Sequence, residues 1–476
     1  MPAIPDNVFF ATIAALNARL KDKEFSAEEL ARAFAARLEQ LGPRYNALAL
    51  PLPQQAIRKG IEVDKDLKRS RFRGPLQGIP YGVKDLLSYA GQPTTWGAKP
   101  YAGQVFDYSA AAVEKLDGVG AVLLGKLSMV ELAGGGGYRY PSASLTGPGL
   151  NPWDRSRWSG GSSSGSAAAV AAGLVPFAIG SETSGSIVTP ASYCGITALR
   201  PTYGLVSRYG AMALSWTLDK LGPFARSAED CGLVLQVIAG KDSRDPGSAG
   251  KSFYYTPQYA RPLKDLKAGY APADFADNAA AAARPAFAAA VGVLKDAGLQ
   301  LVEAKWPQFP YGPTLSAILA AEQASVFESF ITSGKVDELA DQAQIAGLKA
   351  SLELPARDYL KAQRIRRLIQ EAFLRLFAEV DVIIAPGRSG PATRIDQRLD
   401  GAGGGPPSTP PAGFQGIIQA GNLAGLPALV LPCGFAENLP VAIQVVGAPF
   451  SENTLLAIGN QFQAHTDWHQ HHPPGL

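Results

Sequence analysis

The chain has 476 residues, 46% of them hydrophobic and 18% charged, with a net charge of +3. That is ample material for a large buried core, and it excludes disorder over most of the length. The charge is too small and too evenly spread to suggest a nucleic-acid or membrane-surface partner.

Phe9, Ile13, Leu16 and Leu20 recur at helical spacing. No basic run precedes them and no cleavage site follows, so they predict an amphipathic helix rather than a signal peptide. Ser26-x-x-Glu29 is a capping box ahead of Leu30, Phe34, Ala35 and Leu38. Residues 75–240 alternate short apolar runs with Gly- and Ser-rich turns, and strands are predicted at 79–83, 121–124 and 175–179. The small-apolar run 167–180 is too short to span a bilayer. Strand, helix and strand are predicted at 266–270, 279–297 and 299–304, with Pro285 kinking or restarting the helix. A long basic amphipathic helix at 357–378 leads into a strand at 380–385, and 401–411 reads as a loop. Strands at 428–431 and 441–446 and a helix at 454–463 complete the chain. Strand-rich sequence resumes after the loop and needs the earlier sheet to pair with, so this loop is not expected to be a domain boundary.

Rare residues narrow the chemistry. The four histidines, His465, His469, His471 and His472, all lie in the last twelve residues, and they read as a solvated tail. The body must work without imidazole, which disfavours a histidine-ligated metal and most Ser-His-Asp arrangements. Cys194, Cys231 and Cys433 form no CxxC pair, so neither a disulfide framework nor a zinc–thiolate site is expected, and a reducing compartment fits.

Two motifs fall short. Gly120-x4-Gly125-Lys126 resembles a phosphate-binding loop, but Leu127 stands where a Ser or Thr would bind Mg²⁺; Lys126 reads as a surface lysine between strand and helix. Gly161-Ser162-Ser163-Ser164-Gly165 fits a nucleophile elbow, which needs a buried strand just before it. Residues 151–159 read instead as loop. The wider segment 158–190 fits a loop, a helix at 166–173, a buried strand at 175–179 and a tight turn at 180–185. Both serine-rich loops then meet at one end of the sheet. A serine nucleophile needs a base, and with histidine unavailable a carboxylate or a neutral lysine remains. Lys84, at the end of a short apolar strand, reads two ways: a surface lysine paired with Asp85, or a buried amine. Burial would lower its pKa by several units from about 10.4.

Three blocks resemble the amidase signature family: residues 78–85, the serine-glycine region 160–200, and Leu199-Arg-Pro-Thr-Tyr-Gly-Leu-Val-Ser-Arg208. The helical N-terminus and residues 425–446 resemble it too, so the similarity covers nearly the whole chain. It implies one α/β domain over 1–476, with a mixed sheet covered by helices on both faces. Within it, 1–70 would be a helical N-terminal part, 75–240 the signature core, and 241–476 the rest of the sheet, covering helices and tail. The resemblance further implies a Ser–cis-Ser–Lys triad of Ser186 as nucleophile, Ser162 as the cis-serine and Lys84 as base. Backbone N–H groups of Thr183, Ser184, Gly185 and Ser186 would form the oxyanion hole, Ser163 would help hold the lysine, and Ala133, Gly134 and Gly135 would line the substrate site.

The expected activity is metal- and cofactor-independent hydrolysis of linear amides, and of carbamates and esters, by a cytoplasmic monomer or homodimer acting on small molecules. The family's commonest Thr-Asp-x-Gly-Gly-Ser-Ile-Arg is here Ser181-Glu182-Thr183-Ser184-Gly185-Ser186-Ile187-Val188. Glu182 and Val188 count against the first alternative, a glutaminase subunit of a transfer-RNA amidotransferase. The second alternative is a non-catalytic binding protein on the same scaffold. Residues 133–140 and 153–158 bring Tyr138, Tyr140, Trp153 and Trp158, with Arg139, Arg155, Arg157 and Asp154. Uncharged aryl or alkyl amides are therefore expected to be better substrates than glutamine or asparagine.

Overall fold

In the computed structural model, which describes residues 4–399, 413 and 416–476, eleven strands join in one mixed sheet. Their order is Leu48–Pro51, Val122–Leu127, Pro80–Lys84, Phe177–Glu182, Lys220–Ala225, Thr197–Arg200, Ala428–Ala436, Leu439–Gly447, Val382–Pro386, Lys267–Tyr270 and Gln300–Glu303. Pro80–Lys84 runs parallel to both of its neighbours. A second parallel group forms at the far edge, and the strands between are antiparallel. Strands from both halves of the chain thus combine in one layer. Pro80–Lys84, Val122–Leu127, Phe177–Glu182 and Lys220–Ala225 are buried throughout. Side chains alternate across a sheet, so wholly buried strands require cover on both faces. The α/β architecture expected from the sequence is the one found.

Local signals act as their chemistry predicts. Ser26 accepts from the Glu29 N–H at 3.1 Å and Glu29 returns an acceptor to the Ser26 N–H at 2.8 Å, opening Ala27–Leu41. Pro285 starts Arg284–Asp296 instead of kinking a longer helix, because a proline in the first turn gives up an N–H that has no partner there. Phe9 lies in a short 3-10 turn, and the first α-helix, Ile13–Lys21, begins after Thr12. The loop expected over 401–411 lies outside the described residues. Among the described residues no helix is long and apolar enough to cross a membrane.

The central strands run further toward their C-terminal ends than their apolar runs predict. The added residues include Lys84, Lys126, Ser181 and Glu182, held by pairings such as Lys84 with Leu127 and Glu182 with Lys220. The tight turn expected from residue 180 therefore begins only at Thr183. Polar ends of buried strands break the apolar pattern while remaining in the ladder.

Three other expectations are corrected. Lys126 is not a surface lysine: its Nζ sits 2.8 Å from Asp85 Oδ1, with side-chain exposures of 0% and 1%. The aspartate beside Lys84 thus serves a different lysine. Residues 154–158 are not loop but form a strand, Asp154–Trp158, in a two-stranded ribbon outside the main sheet; its partly exposed pattern is not that of an elbow strand. The histidine tail is solvated only in part: His465, His471 and His472 are exposed, but the tail lies against the body, with His472 stacked on Phe10 at 4.3 Å and His471 against Phe435 and Trp468.

The Lys126–Asp85 pair makes a stability prediction. Removing one partner of a buried ion pair leaves the other charge uncompensated, at about 3–5 kcal/mol. Asp85→Ala should lower unfolding stability by about that amount in urea titrations, while a surface control such as Glu371→Ala should change it by under about 0.5 kcal/mol.

Candidate active site

Lys84 ends its strand with no exposure to solvent. Its Nζ donates to Ser162 Oγ at 2.7 Å and to Ser181 Oγ at 2.9 Å. Burial pulls its pKa from 10.5 down to about 7, against the opposing charges of Asp219 and Glu182. The surface-lysine reading is therefore excluded. Ser162 follows a cis peptide bond from Gly161 and is buried at the start of the segment leading to Ser164–Ala171. Gly161 admits no side chain: a Cβ there would lie 2.7 Å from Trp158 and 3.0 Å from the Tyr138 hydroxyl.

Ser163 reaches the lysine only through Ser181. Its Oγ donates to the Ser181 carbonyl at 3.1 Å and accepts from the Ser181 N–H at 3.3 Å. Ser181 is the direct second partner of Lys84, and the family pattern had not singled it out. Gly180 makes this approach possible, since a Cβ on it would lie 2.8 Å from Ser163 Oγ.

Past Glu182 the strand breaks into the turn 183–186. Among the described residues, no acceptor is hydrogen-bonded to the N–H groups of Thr183, Ser184, Gly185 or Ser186. Gly185 holds φ +82°, the left-handed conformation that glycine adopts without a steric penalty. The next two N–H groups, of Ile187 and Val188, donate to Glu182 Oε2 at 2.8 and 3.0 Å. Glu182 Oε1 in turn accepts from Arg200 Nη1 at 2.8 Å and Asn422 Nδ2 at 2.7 Å. Burial alone would raise the Glu182 pKa, but Arg200, Lys220 and the hydrogen bonds from Arg200 and Asn422 outweigh it and hold it at about 2. Asp219 ties the other side of the turn: Thr183 Oγ1 donates to it at 2.6 Å, and the N–H groups of Leu214 and Ser215 donate at 2.8 and 2.9 Å. The turn carrying Ser186 is thus clamped from both flanks by buried carboxylates. Glu182 and Arg200 both stand inside sequence motifs, but nothing in their spacing signals that they pair.

Ser186 is 8% exposed and opens on a cavity of about 540 Å³. Ala133, Gly134, Thr183 and Ser184 line it with Tyr138, Trp158, Tyr193 and Leu214, whereas Gly135 and Gly185 do not. Gly135 packs toward Leu214 instead, where a Cβ would lie 2.8 Å from Leu214 Cδ1. No hydrogen bond joins Ser162 to Ser186 among the described residues; such contacts commonly tighten only with substrate. Arg139, Arg155 and Arg157 do not line the cavity; Arg388, far away in sequence, does. A second cavity of about 380 Å³ shares Ala133, Thr183 and Leu214 with the first and reaches Ser181 and Asp219. Among the described residues no three His, Cys, Asp or Glu side chains group as a metal site requires.

Stability in acid tests the Glu182 clamp. Its folded pKa of about 2 lies below the ordinary 4.5, so it contributes stability above that range that is lost as pH falls toward 2. Glu182→Gln should be less stable than wild type at pH 7, and the gap should narrow between pH 5 and 2.5 in urea midpoints. A gap independent of pH would show that the charge is not the source.

The model of the family described as Amidase matches residues 29–456. The chain is 36% identical over 492 residues to a glutamyl-tRNA(Gln) amidotransferase subunit from Chloroflexus aggregans, covering 98% of each. Among solved structures, the native peptide amidase of Stenotrophomonas maltophilia aligns with a TM-score of 0.82 at 30% identity, covering 96% of this chain and 97% of that one. A vestigial protein complex related to the origins of an s-triazine catabolic enzyme aligns at 0.85 and 29%, covering 96% and 99%.

Proposed function

The chain belongs to the amidase family, and on that premise we propose that it hydrolyses carboxylic amides through an acyl-enzyme on Ser186. The observation that carries this reading is the buried amine of Lys84, with a pKa of about 7, hydrogen-bonded to Ser162 at 2.7 Å. Once neutral, the amine offers a lone pair where the ammonium had a proton. Ser162 then gives its hydroxyl proton to Lys84 and takes one from Ser186 as Ser186 Oγ attacks the carbonyl carbon.

Negative charge develops on the carbonyl oxygen, and the N–H groups of 183–186, which have no acceptor among the described residues, would receive it. Fixed donors in a site shielded from water are usually the largest single contribution to such catalysis. Collapse breaks the C–N bond, and Ser162 returns the proton to the departing amine while Lys84 reprotonates Ser162. Water then attacks the acyl-enzyme by the same relay and regenerates Ser186. The relay requires no metal or organic cofactor. Carbamates and esters present the same developing oxyanion and fall within its reach.

A second reading has a specific observation behind it: curated relatives at 36% identity are amidotransferase subunits. In that reading glutamine is the amide, and other chains receive the ammonia. Glu182 and Val188 depart from the pattern expected of that branch. Purification from the native host separates the two: a self-sufficient amidase purifies active and without stoichiometric partner subunits.

Substitution tests the relay. Ser186→Ala should abolish turnover and labelling by a fluorophosphonate probe, which a mere binding protein would not show at all. Lys84→Ala and Ser162→Ala should each lower kcat by roughly 10²–10⁴-fold, and not additively. The four histidine substitutions together should leave kcat within a few-fold, and exhaustive chelation should leave activity intact.

The base must be uncharged, so kcat/KM should rise with pH through about 7 and level off above it. Lys84→Arg should be inactive at every pH, because a guanidinium stays protonated in proteins. An active Lys84→Arg enzyme would mean that the lysine supplies charge alone.

A further inference from the structure

Among the described residues, Arg388 is the only formally charged one lining the cavity that holds Ser186. It is exposed, and among the described residues no hydrogen bond or ion pair engages it. Its charge is felt inside the cavity: it opposes the effect of burial on the Tyr138 phenol, whose pKa is raised. No carboxylate lines the same described walls. The neutral lining also carries an unpaired donor. The Trp158 indole N–H, an obligate donor, is buried with no acceptor among the described residues.

The position of Arg388 is set by backbone. It follows the strand Val382–Pro386 directly, after Gly387, whose N–H donates to the Ala442 carbonyl at 2.7 Å. Further along, the backbone N–H of Trp158 donates to the Thr393 carbonyl at 2.8 Å and that of Ile395 to the Ser156 carbonyl at 3.0 Å. The segment 388–395 is thus anchored at both ends beside the cavity wall.

Resting on the amide-hydrolase reading, we propose that Arg388 selects substrates bearing a carboxylate or other anionic group remote from the scissile amide. This revises the preference for uncharged amides expected from the sequence: Ala133, Gly134, Tyr138 and Trp158 of the two segments weighed there line the cavity, but their arginines do not, and Arg388 does. A free α-ammonium finds no acid in the described lining, so the favoured anion is one without a neighbouring amine. A dicarboxylic acid monoamide has this chemistry, and glutamine, with its ammonium, does not.

The test uses a matched set: the monoamide of glutaric acid, its methyl ester, and glutamine, which adds only the α-amine. A charge-assisted hydrogen bond contributes about 1.5–3 kcal/mol, so loss of the charge should cost about tenfold or more. Wild type should favour the monoamide over its methyl ester in kcat/KM by at least about tenfold, mainly through KM, and glutamine should trail. In Arg388→Gln that ratio should fall toward one, and Arg388→Lys should restore part of it. A ratio near one in wild type, or one unchanged in Arg388→Gln, would overturn the proposal.

Calorimetric binding to Ser186→Ala keeps this separate from the hydrolysis reading, since it requires no turnover. Tighter binding of the monoamide than of its ester, lost on adding Arg388→Gln, would uphold the anion subsite even if wild type hydrolysed none of the three. Equal binding of both compounds would overturn the subsite while leaving amide hydrolysis standing.

Discussion

An amine at the end of a buried strand cannot keep its full charge cheaply. Removing water from Lys84 disfavours the ammonium, and two carboxylates, Asp219 and Glu182, partly restore it. The balance leaves the amine able to exchange a proton near neutrality. The surrounding structure depends on this balance. The sheet buries Pro80–Lys84 between two parallel neighbours. Ser162 and Ser181 occupy the amine's hydrogen-bonding directions, and Asp85, its neighbour in sequence, is committed to Lys126.

The same carboxylates connect the base to the turn at Ser186. Glu182 takes the two N–H groups after Ser186, and Asp219 takes the Thr183 hydroxyl before it. Neither group has to enter the chemistry for its removal to disturb it. Glu182 is ionised because Arg200 and Asn422 share one of its oxygens. The buried cluster therefore does two things at once: it fixes the backbone donors in place and it sets the charge felt by Lys84.

Much of this was legible in the sequence, for identifiable reasons. The absence of histidine before residue 465 and the serine-glycine blocks pointed to a lysine-dependent serine site, and the capping box at Ser26 and the strand runs pointed to the architecture. The hidden features all rest on contacts between distant segments. Lys126 looked like a surface residue because its partner lies 41 positions earlier, at Asp85. Ser181 was one serine among many until the strand register placed it beside Lys84. Arg388 sits more than 200 residues beyond Ser186, and only the fold brings it to the cavity. Strand ends, by contrast, outrun their apolar patterns because their last residues are buried yet polar.

The central claim concerns the protonation of one amine, and it can be read directly. Lysine labelled with ¹³C at Cε, assigned by comparison with Lys84→Met, reports its own titration by NMR. A Lys84 midpoint near 7, well apart from the ordinary value of 10.5, is the predicted result. A midpoint close to 10.5 would leave the amine charged at neutral pH and contradict its role as the base.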